Sequence, residues 1–314
     1  MRHPIWIAIA GGLIVSGCVT TDRAGAPEGA IDVIAHRGAS AYAPENTLAA
    51  FELAFEKRAD WFELDCTLTK DGEIVVIHDD DVERVTKTAG KVCDLTLAEL
   101  KALDAGSWFD AKFAGEPLPT LAEALDLAKD RIGVYIEIKN SDDDSKLMND
   151  VYALARGDQV RFMPRQRRAM MRLIESSGSR NLELTRKVVA LVRERGMGSQ
   201  VVLQSFSPIV CAVALEEAPE LRTEFLGGKD EDRPDRWPMY LRFGYLIDAQ
   251  GFNTSFESMD PELLASFHRA GKTVALWTVD DPADMRRCAE WGADAIITNK
   301  PDVCLDTLAE MGKR

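Results

Sequence analysis

The residue types suited to proton transfer and charge binding fall in a few short motifs. Of four histidines, His3 lies in an apolar leader, while His36 and His78 each close a hydrophobic run, in Ala35-His36-Arg37-Gly38-Ala39 and Val76-Ile77-His78-Asp79. Between them stands Glu63-Leu64-Asp65, and Glu137-Ile138-Lys139 follows further on. Imidazole titrates near neutrality, so one ring can take a proton while the other gives one. Carboxylate oxygens are hard ligands suited to Mg²⁺ or Ca²⁺, so Glu63, Asp65 and Glu137 are candidate ligands for one such ion. Arg37 offers a planar fork to phosphate oxygens, and Lys139 a point charge. Together these groups fit metal-assisted phosphoester chemistry.

Such side chains act together only if the fold gathers them. Eight short β-rich runs are spread along the chain: Ile31 to Ala35, Trp61 to Asp65, Gly133 to Lys139, Val201 to Gln204, Arg222 to Leu226, Ala249 to Asn253, Thr273 to Val279 and Ala295 to Thr298. Amphipathic helical segments separate many of them: Thr47 to Lys57, Thr120 to Lys129, Asn181 to Arg195, Pro261 to Ala270 and Pro282 to Trp291. Eight strand–helix units imply parallel strands closed into a (β/α)8 TIM barrel, whose active sites form at the C-terminal ends of the strands. Every motif above falls at or just after such an end. Alternate strand residues share a face, so Glu63 projects with Asp65 and Glu137 with Lys139, while Leu64 and Cys66 point into the surrounding shell.

Three features lie outside the eight-unit count. Asp71-Gly72 between β runs signals a hairpin, expected to form an antiparallel flap over the mouth that places His78 roughly opposite Glu63. Residues 141–179 form an acidic patch followed by an Arg- and Met-rich helical stretch, expected as an insertion near the mouth. A second irregular stretch, Gly227 to Gly244, offers Trp237, Tyr240 and Phe243 as substrate-side candidates.

Arg2, the apolar run Ile5 to Val15 and Val15-Ser16-Gly17-Cys18 read as an export signal with a lipobox, giving residues 1–18 as signal peptide with Cys18 as the lipidation site. The alternative is an ordinary cleaved signal. Residues 19–30 then form a flexible tether, and 31–314 a single barrel domain of about 284 residues. The protein is expected outside the cytoplasm, anchored to a membrane and facing the periplasm, with the outer membrane favoured in a Gram-negative host. A formal charge of −14 argues against a nucleic-acid partner. The remaining cysteines (Cys66, Cys93, Cys211, Cys288, Cys304) match no zinc spacing and are read as buried thiols.

Taken singly, each motif is weak, because paired acids two apart on a strand most often form a solvated face. The ordered series is specific. His36-Arg37-Gly38, Pro44-Glu45-Asn46-Thr47, Glu63-Leu64-Asp65, Thr69-Lys70-Asp71-Gly72, His78-Asp79, Glu137-Ile138-Lys139, Gln204-Ser205-Phe206 and Trp277-Thr278-Val279 resemble the glycerophosphodiester phosphodiesterase family from about Ile31 to Pro301. The resemblance implies a TIM barrel, one divalent cation, and hydrolysis of glycerophosphodiesters to sn-glycerol 3-phosphate and an alcohol. It implies His36 and His78 as the acid/base pair, with His36 favoured as base, and Glu63, Asp65 and Glu137 as metal ligands. Arg37 and Lys139 match phosphate-facing cations, Glu45 a polar residue lining the site, and Gln204 and Trp277 residues near the substrate. Two departures stand out: the long 141–179 segment, and Asn299 in Thr298-Asn299-Lys300-Pro301 where the family usually has Asp, both read as lying outside the catalytic set. Competing readings are a lysophospholipase D-like enzyme acting on larger lipid phosphodiesters, and a non-catalytic envelope lipoprotein that only binds.

Overall fold

The structure, a computed structural model, describes residues 29–229, 232 and 236–314. The leader with Cys18 and most of the tether lie outside the described residues. Nine strands form one sheet: β1 (Asp32–Ala35), β2 (Trp61–Leu68), β3 (Ile74–Val76), β4 (Gly133–Ile138), β5 (Val201–Ser205), β6 (Arg222–Gly227), β7 (Gly251–Ser255), β8 (Thr273–Trp277) and β9 (Ala295–Thr298). All but β3 are parallel, and β1 pairs with both β2 and β9, so the eight parallel strands close into a barrel. Each of the eight runs read from the sequence supplies one of these strands. The strands are buried on both faces, as a parallel sheet under helices requires.

The pleat sorts their side chains into two sets. Outward residues such as Phe62, Leu64, Cys66 and Ile136 pack against helices, in the same cluster as Phe51 and Leu125. Inward residues Ile34, Trp61, Tyr135, Val202, Ala275 and Ile297 fill the barrel. Two residues further along each strand, the same inward direction delivers His36, Glu63, Glu137, Gln204, Trp277 and Asn299. The polar layer therefore sits one pleat period above an apolar floor.

Local chemistry sets the helices that hold this register. Thr47 caps the helix Leu48–Glu56 by accepting from the Ala50 N–H, and Thr120 with Glu123 forms a capping box on Leu121–Ala128. Gly38 adopts φ 80°, and a Cβ there would lie 2.6 Å from the Ala50 carbonyl carbon, so the β1 loop can lie on this helix only through glycine. Helix Pro208–Glu217 was invisible to a search for amphipathic periods because Pro208 to Leu215 are all buried.

The hairpin forms, with Cys66 opposite Val76 and Leu68 opposite Ile74. Its register differs by one residue from the expected pairing of Glu63 with His78. The turn closes with the Thr69 N–H on the Glu73 carbonyl, which centres it on Asp71 and sets the Ile77 N–H on the Asp65 carbonyl at 3.0 Å. The chain beyond it builds a small core of its own from Val75, Ile77, Val82, Val85, Val92, Leu100, Ala105 and Leu118.

The 141–179 segment leaves the barrel beside Lys139 and forms helices Ser145–Tyr152 and Pro164–Ser177. Met148, Val151, Phe162, Met170 and Ile174 are buried in the same cluster as Ile209, Leu215 and Leu246, so the segment packs along the outside of the barrel. Trp237, Tyr240 and Phe243 are not among the residues that line the cleft at the mouth. Trp237 and Phe243 are buried, and Tyr240 meets Phe225 edge-on. Their helix, Arg236–Ile247, needs an apolar face against the barrel wall, and these rings supply it. All five described cysteines are free; Cys93 is exposed, against the expectation of burial, because it lies in a short 3₁₀ turn with only Val92 facing inward. Residues 29–314 hold every strand and all these clusters. Arg314 is tied to Asp60 and to the Ile31 carbonyl, which closes the fold at both ends. Among the described residues, this stretch holds the whole closed barrel.

Candidate active site

At the C-terminal end of the barrel a cleft of about 130 Å³, open to solvent, is lined by His36, Arg37, Glu63, His78, Glu137 and Gln204, with Phe206, Leu226, Trp277 and Ile297 as its apolar wall and Thr278 beside them. Its floor carries three buried carboxylates. Glu63, Asp65 and Glu137 each present an oxygen within 4.8 Å of the others. Burial, with the charges of Asp65 and Glu137, pushes the Glu63 carboxyl well above the usual range. Burial and Asp65 likewise raise Glu137, to about 7. Burial alone would raise Asp65 too, but Lys139, Arg37 and His78 outweigh it and hold its carboxyl below the usual range.

Two cations and two N–H groups stand against the trio. The Arg37 N–H donates to Glu63 (2.9 Å), and the Arg37 Nε lies 3.3 Å from Asp65. Lys139 Nζ stands 2.8 Å from Glu137 and 3.4 Å from Asp65. Asn46 is pinned in the left-handed region at φ 57°. Its Nδ2 donates to the Asp65 carboxylate at 2.8 Å, and its Oδ1 accepts from the Asp65 N–H. The hard oxygen donors and the mutual crowding of like charges fit a divalent cation among Glu63, Asp65 and Glu137. In the sequence Asn46 stands out only as part of Pro44-Glu45-Asn46-Thr47. Its signal was an amide that bonds at both ends and tolerates the left-handed turn.

The two histidines are held differently. His36 follows β1, with its Nδ1 2.8 Å from the Asn299 Oδ1. Asn299 spends its own N–H groups on Asp280, through the backbone at 2.8 Å and Nδ2 at 2.5 Å, and its Oδ1 also accepts from Ser40. That leaves Oδ1 as an acceptor only, so His36 carries its hydrogen on Nδ1 and keeps a lone pair on Nε2. Burial and the neighbouring Arg37 lower His36 to about 4, and at neutral pH the ring is uncharged. Asn299 therefore touches the candidate catalytic histidine directly, contrary to its reading as a peripheral departure. Its proximity depends on the β1–β9 pairing, which joins residues far apart in the chain.

His78 follows β3 on the hairpin. Its Nδ1 stands 2.7 Å from the Asp79 carboxylate, which Arg84 Nε also contacts, at 2.5 Å. Arg84 then donates twice to Glu45, and Glu45 accepts from Arg37 at 2.9 Å. Glu45 thus sits behind Arg37 as its anchor and not on the cleft wall. Burial would raise the Glu45 carboxyl, but Arg84 and Arg37 bring it below the usual range. Asp79 is marked in the sequence only as the second residue of the His78-Asp79 motif, and Arg84 carries no periodic or motif signal. On the opposite wall, Gln204 accepts from Asn253 Nδ2 at 2.7 Å, which leaves the Gln204 amide N–H groups for the cleft. Trp277 donates through Nε1 to the Asn253 carbonyl and meets Phe206 edge-on.

A buried carboxylate cluster, two cations and two histidines at the mouth of a (β/α)8 barrel define an enzyme site for a phosphate ester. Comparison with known proteins makes the class specific. Residues 36–303 match the glycerophosphoryl diester phosphodiesterase family. A glycerophosphodiester phosphodiesterase of Caldanaerobacter subterraneus subsp. tengcongensis is 34% identical over 281 residues, covering 89% of this chain and 98% of that one. Among solved structures, an Oleispira antarctica phosphodiesterase in complex with the product sn-glycerol-3-phosphate has a TM-score of 0.71 at 26% identity, covering 89% of this chain and 97% of that one. A Silicibacter pomeroyi relative described as a putative glycerophosphoryl diester phosphodiesterase follows at a TM-score of 0.69 and 27% identity, covering 90% and 94% of the respective chains. The chain belongs to the glycerophosphoryl diester phosphodiesterase family.

Crowding of the three carboxylates gives a thermodynamic test. Glu137→Gln removes a buried carboxyl that crowding holds up at about 7, so above that pH the cation-free protein should gain about 1 kcal/mol, or roughly 2–4 °C in melting temperature. The same variant should lose most of the further stabilisation that saturating Mg²⁺ or Ca²⁺ gives the native chain. Calorimetry in EDTA and in each cation reads both; a cation increment unchanged by the substitution would contradict the carboxylate site.

Proposed function

We propose that this chain hydrolyses glycerophosphodiesters to sn-glycerol 3-phosphate and an alcohol, using His36 and His78 as base and acid beside a divalent cation held by Glu63, Asp65 and Glu137. The observation that carries the reading is the shared cleft: both histidines, Arg37, Glu63 and Glu137 line one wall-to-wall space. In that space Arg37 and Lys139 bind phosphate oxygens and orient the phosphorus. Neutral His36 takes the proton of the attacking hydroxyl at Nε2 as the new O–P bond forms, and His78 gives a proton to the leaving alkoxide as the old P–O bond breaks. A bound Mg²⁺ or Ca²⁺ supplies Lewis-acid stabilisation of charge on the phosphate. Gln204 and Trp277 meet the remainder of the substrate. Attack by the neighbouring glycerol hydroxyl, with water opening a cyclic phosphate afterwards, uses the same two proton transfers.

Glycerol 3-phosphate release from glycerophosphocholine, with Mg²⁺, Ca²⁺ or EDTA, tests this directly. His36→Ala and His78→Ala should each lose roughly 10²–10⁴ in kcat with folding intact. Asn299→Leu frees the His36 ring without removing it, and should lower kcat by about tenfold while leaving KM near its native value, a fraction of what a placed base contributes. Full turnover in EDTA, or by His36→Ala, would overturn the mechanism. Phe206, 39% exposed beside Trp277, offers an apolar wall that keeps a larger lipid phosphodiester as the second reading, so lysophosphatidylcholine belongs in the same assay.

We also propose that the protein is an exported lipoprotein tethered through Cys18, on the strength of its leader and lipobox. Native protein should then enter the membrane fraction, and Cys18→Ala the soluble one; equal partition of both would rule the anchor out.

A further inference from the structure

The 141–179 segment carries a surface that the catalytic reading does not use. From Gln159 to Ile174 the chain has no acidic residue and five arginines, in a protein of formal net charge −14. Arg161 and Arg167 are paired with Asp248 and Glu216. Arg165, Arg168 and Arg172 are exposed. At spacings of three and four they share one face of helix Pro164–Ser177, opposite buried Met170 and Ile174. Just before that helix, Val160 and Met163 are 53% and 63% exposed, the highest values of any large hydrophobic side chain among the described residues.

A solvated helix face needs cations interspersed with acids and leaves its apolar side chains inward. Here three cations, with only Glu175 near them at the helix's C-terminal end and that carboxylate already beside Arg186, stand with two outward apolar side chains, the composition of a surface that meets headgroup phosphates with charge and the interface with shallow apolar anchors. The helix itself does not embed, because its apolar face is already used against the barrel. We propose that residues 160–172 form a docking surface for anionic phospholipid bilayers. Charge complementarity selects this occupant and this orientation: the acidic remainder of the chain is repelled by an anionic membrane, so the molecule is steered onto this exposed, arginine-rich face. The surface is independent of the tether and of the phosphodiesterase chemistry. It gives the domain a second, reversible hold on the membrane.

Co-sedimentation of the chain from Gly29 to Arg314 with vesicles tests the proposal, since that stretch contains the whole barrel and the leader cannot contribute. The native sequence should bind phosphatidylcholine vesicles that contain phosphatidylglycerol, bind pure phosphatidylcholine far less, and be released by salt. Neutralising the face in R165Q/R168Q/R172Q should weaken binding by about a hundredfold, roughly fivefold for each charge. V160S/M163S should weaken it severalfold with both lipids. Turnover of a soluble glycerophosphodiester should be unchanged in both variants, which verifies their fold. A native chain that stays in the supernatant, binds both vesicle types equally, or is matched by the triple variant would overturn the proposal.

Discussion

Three carboxylates share one buried space, and the rest of the mouth is organised around their charge. Glu63, Asp65 and Glu137 come from two adjacent strands whose register sets Asp65 directly beside Glu137. Left alone, such a cluster would repel itself or bind protons. The surrounding residues answer with donors: the Arg37 amide, the Arg37 side chain, Lys139 and Asn46. Those donors leave the cluster short of full compensation, as the raised Glu63 and Glu137 carboxyls record. In the proposed reaction a divalent cation makes up the deficit, and the cations that steady the apoprotein also face the phosphate.

The barrel sets these charges beside the histidines with a simple device. Ile34, Trp61, Tyr135, Val202, Ala275 and Ile297 form an apolar layer inside the strands, and one pleat period later come His36, Glu63, Glu137, Gln204, Trp277 and Asn299. The layer excludes water from beneath the site and locks its strands in register. His78 alone arrives from elsewhere, on a hairpin with its own small core. The chain Asp79–Arg84–Glu45–Arg37 ties that hairpin to the barrel loop holding His36, so the two histidines are linked by ion pairs as well as by backbone.

Much of this was legible in the sequence because pleated strands repeat every two residues, and because polar residues stood only where apolar runs ended. The eight strands, the hairpin and the gathering of His36, Arg37, Glu63, His78 and Glu137 in one cleft followed from that pattern, while Gln204 was marked by the family resemblance. What escaped depended on contacts with no local period. Asn299 reaches His36 only through the β1–β9 seam that closes the barrel. Glu45 looked like a lining residue, yet Arg84, itself unmarked in sequence, draws it behind Arg37. Trp237 and Phe243 looked free for substrate because composition does not say which side of a helix meets the wall. Helix Pro208–Glu217 hid because burial on all sides erases amphipathicity. The hairpin slipped by one residue because a three-residue loop, Lys70 to Gly72 between Thr69 and Glu73, not the Asp-Gly pair alone, fixes its centre.

The most direct measurement is anomalous diffraction from crystals grown with Mn²⁺ and soaked with glycerol 3-phosphate. The account predicts one strong peak within coordination distance of Glu63, Asp65 and Glu137, with the phosphate between His36 and His78 and in contact with Arg37. A metal bound away from those three carboxylates, or a phosphate that meets neither histidine, would contradict it.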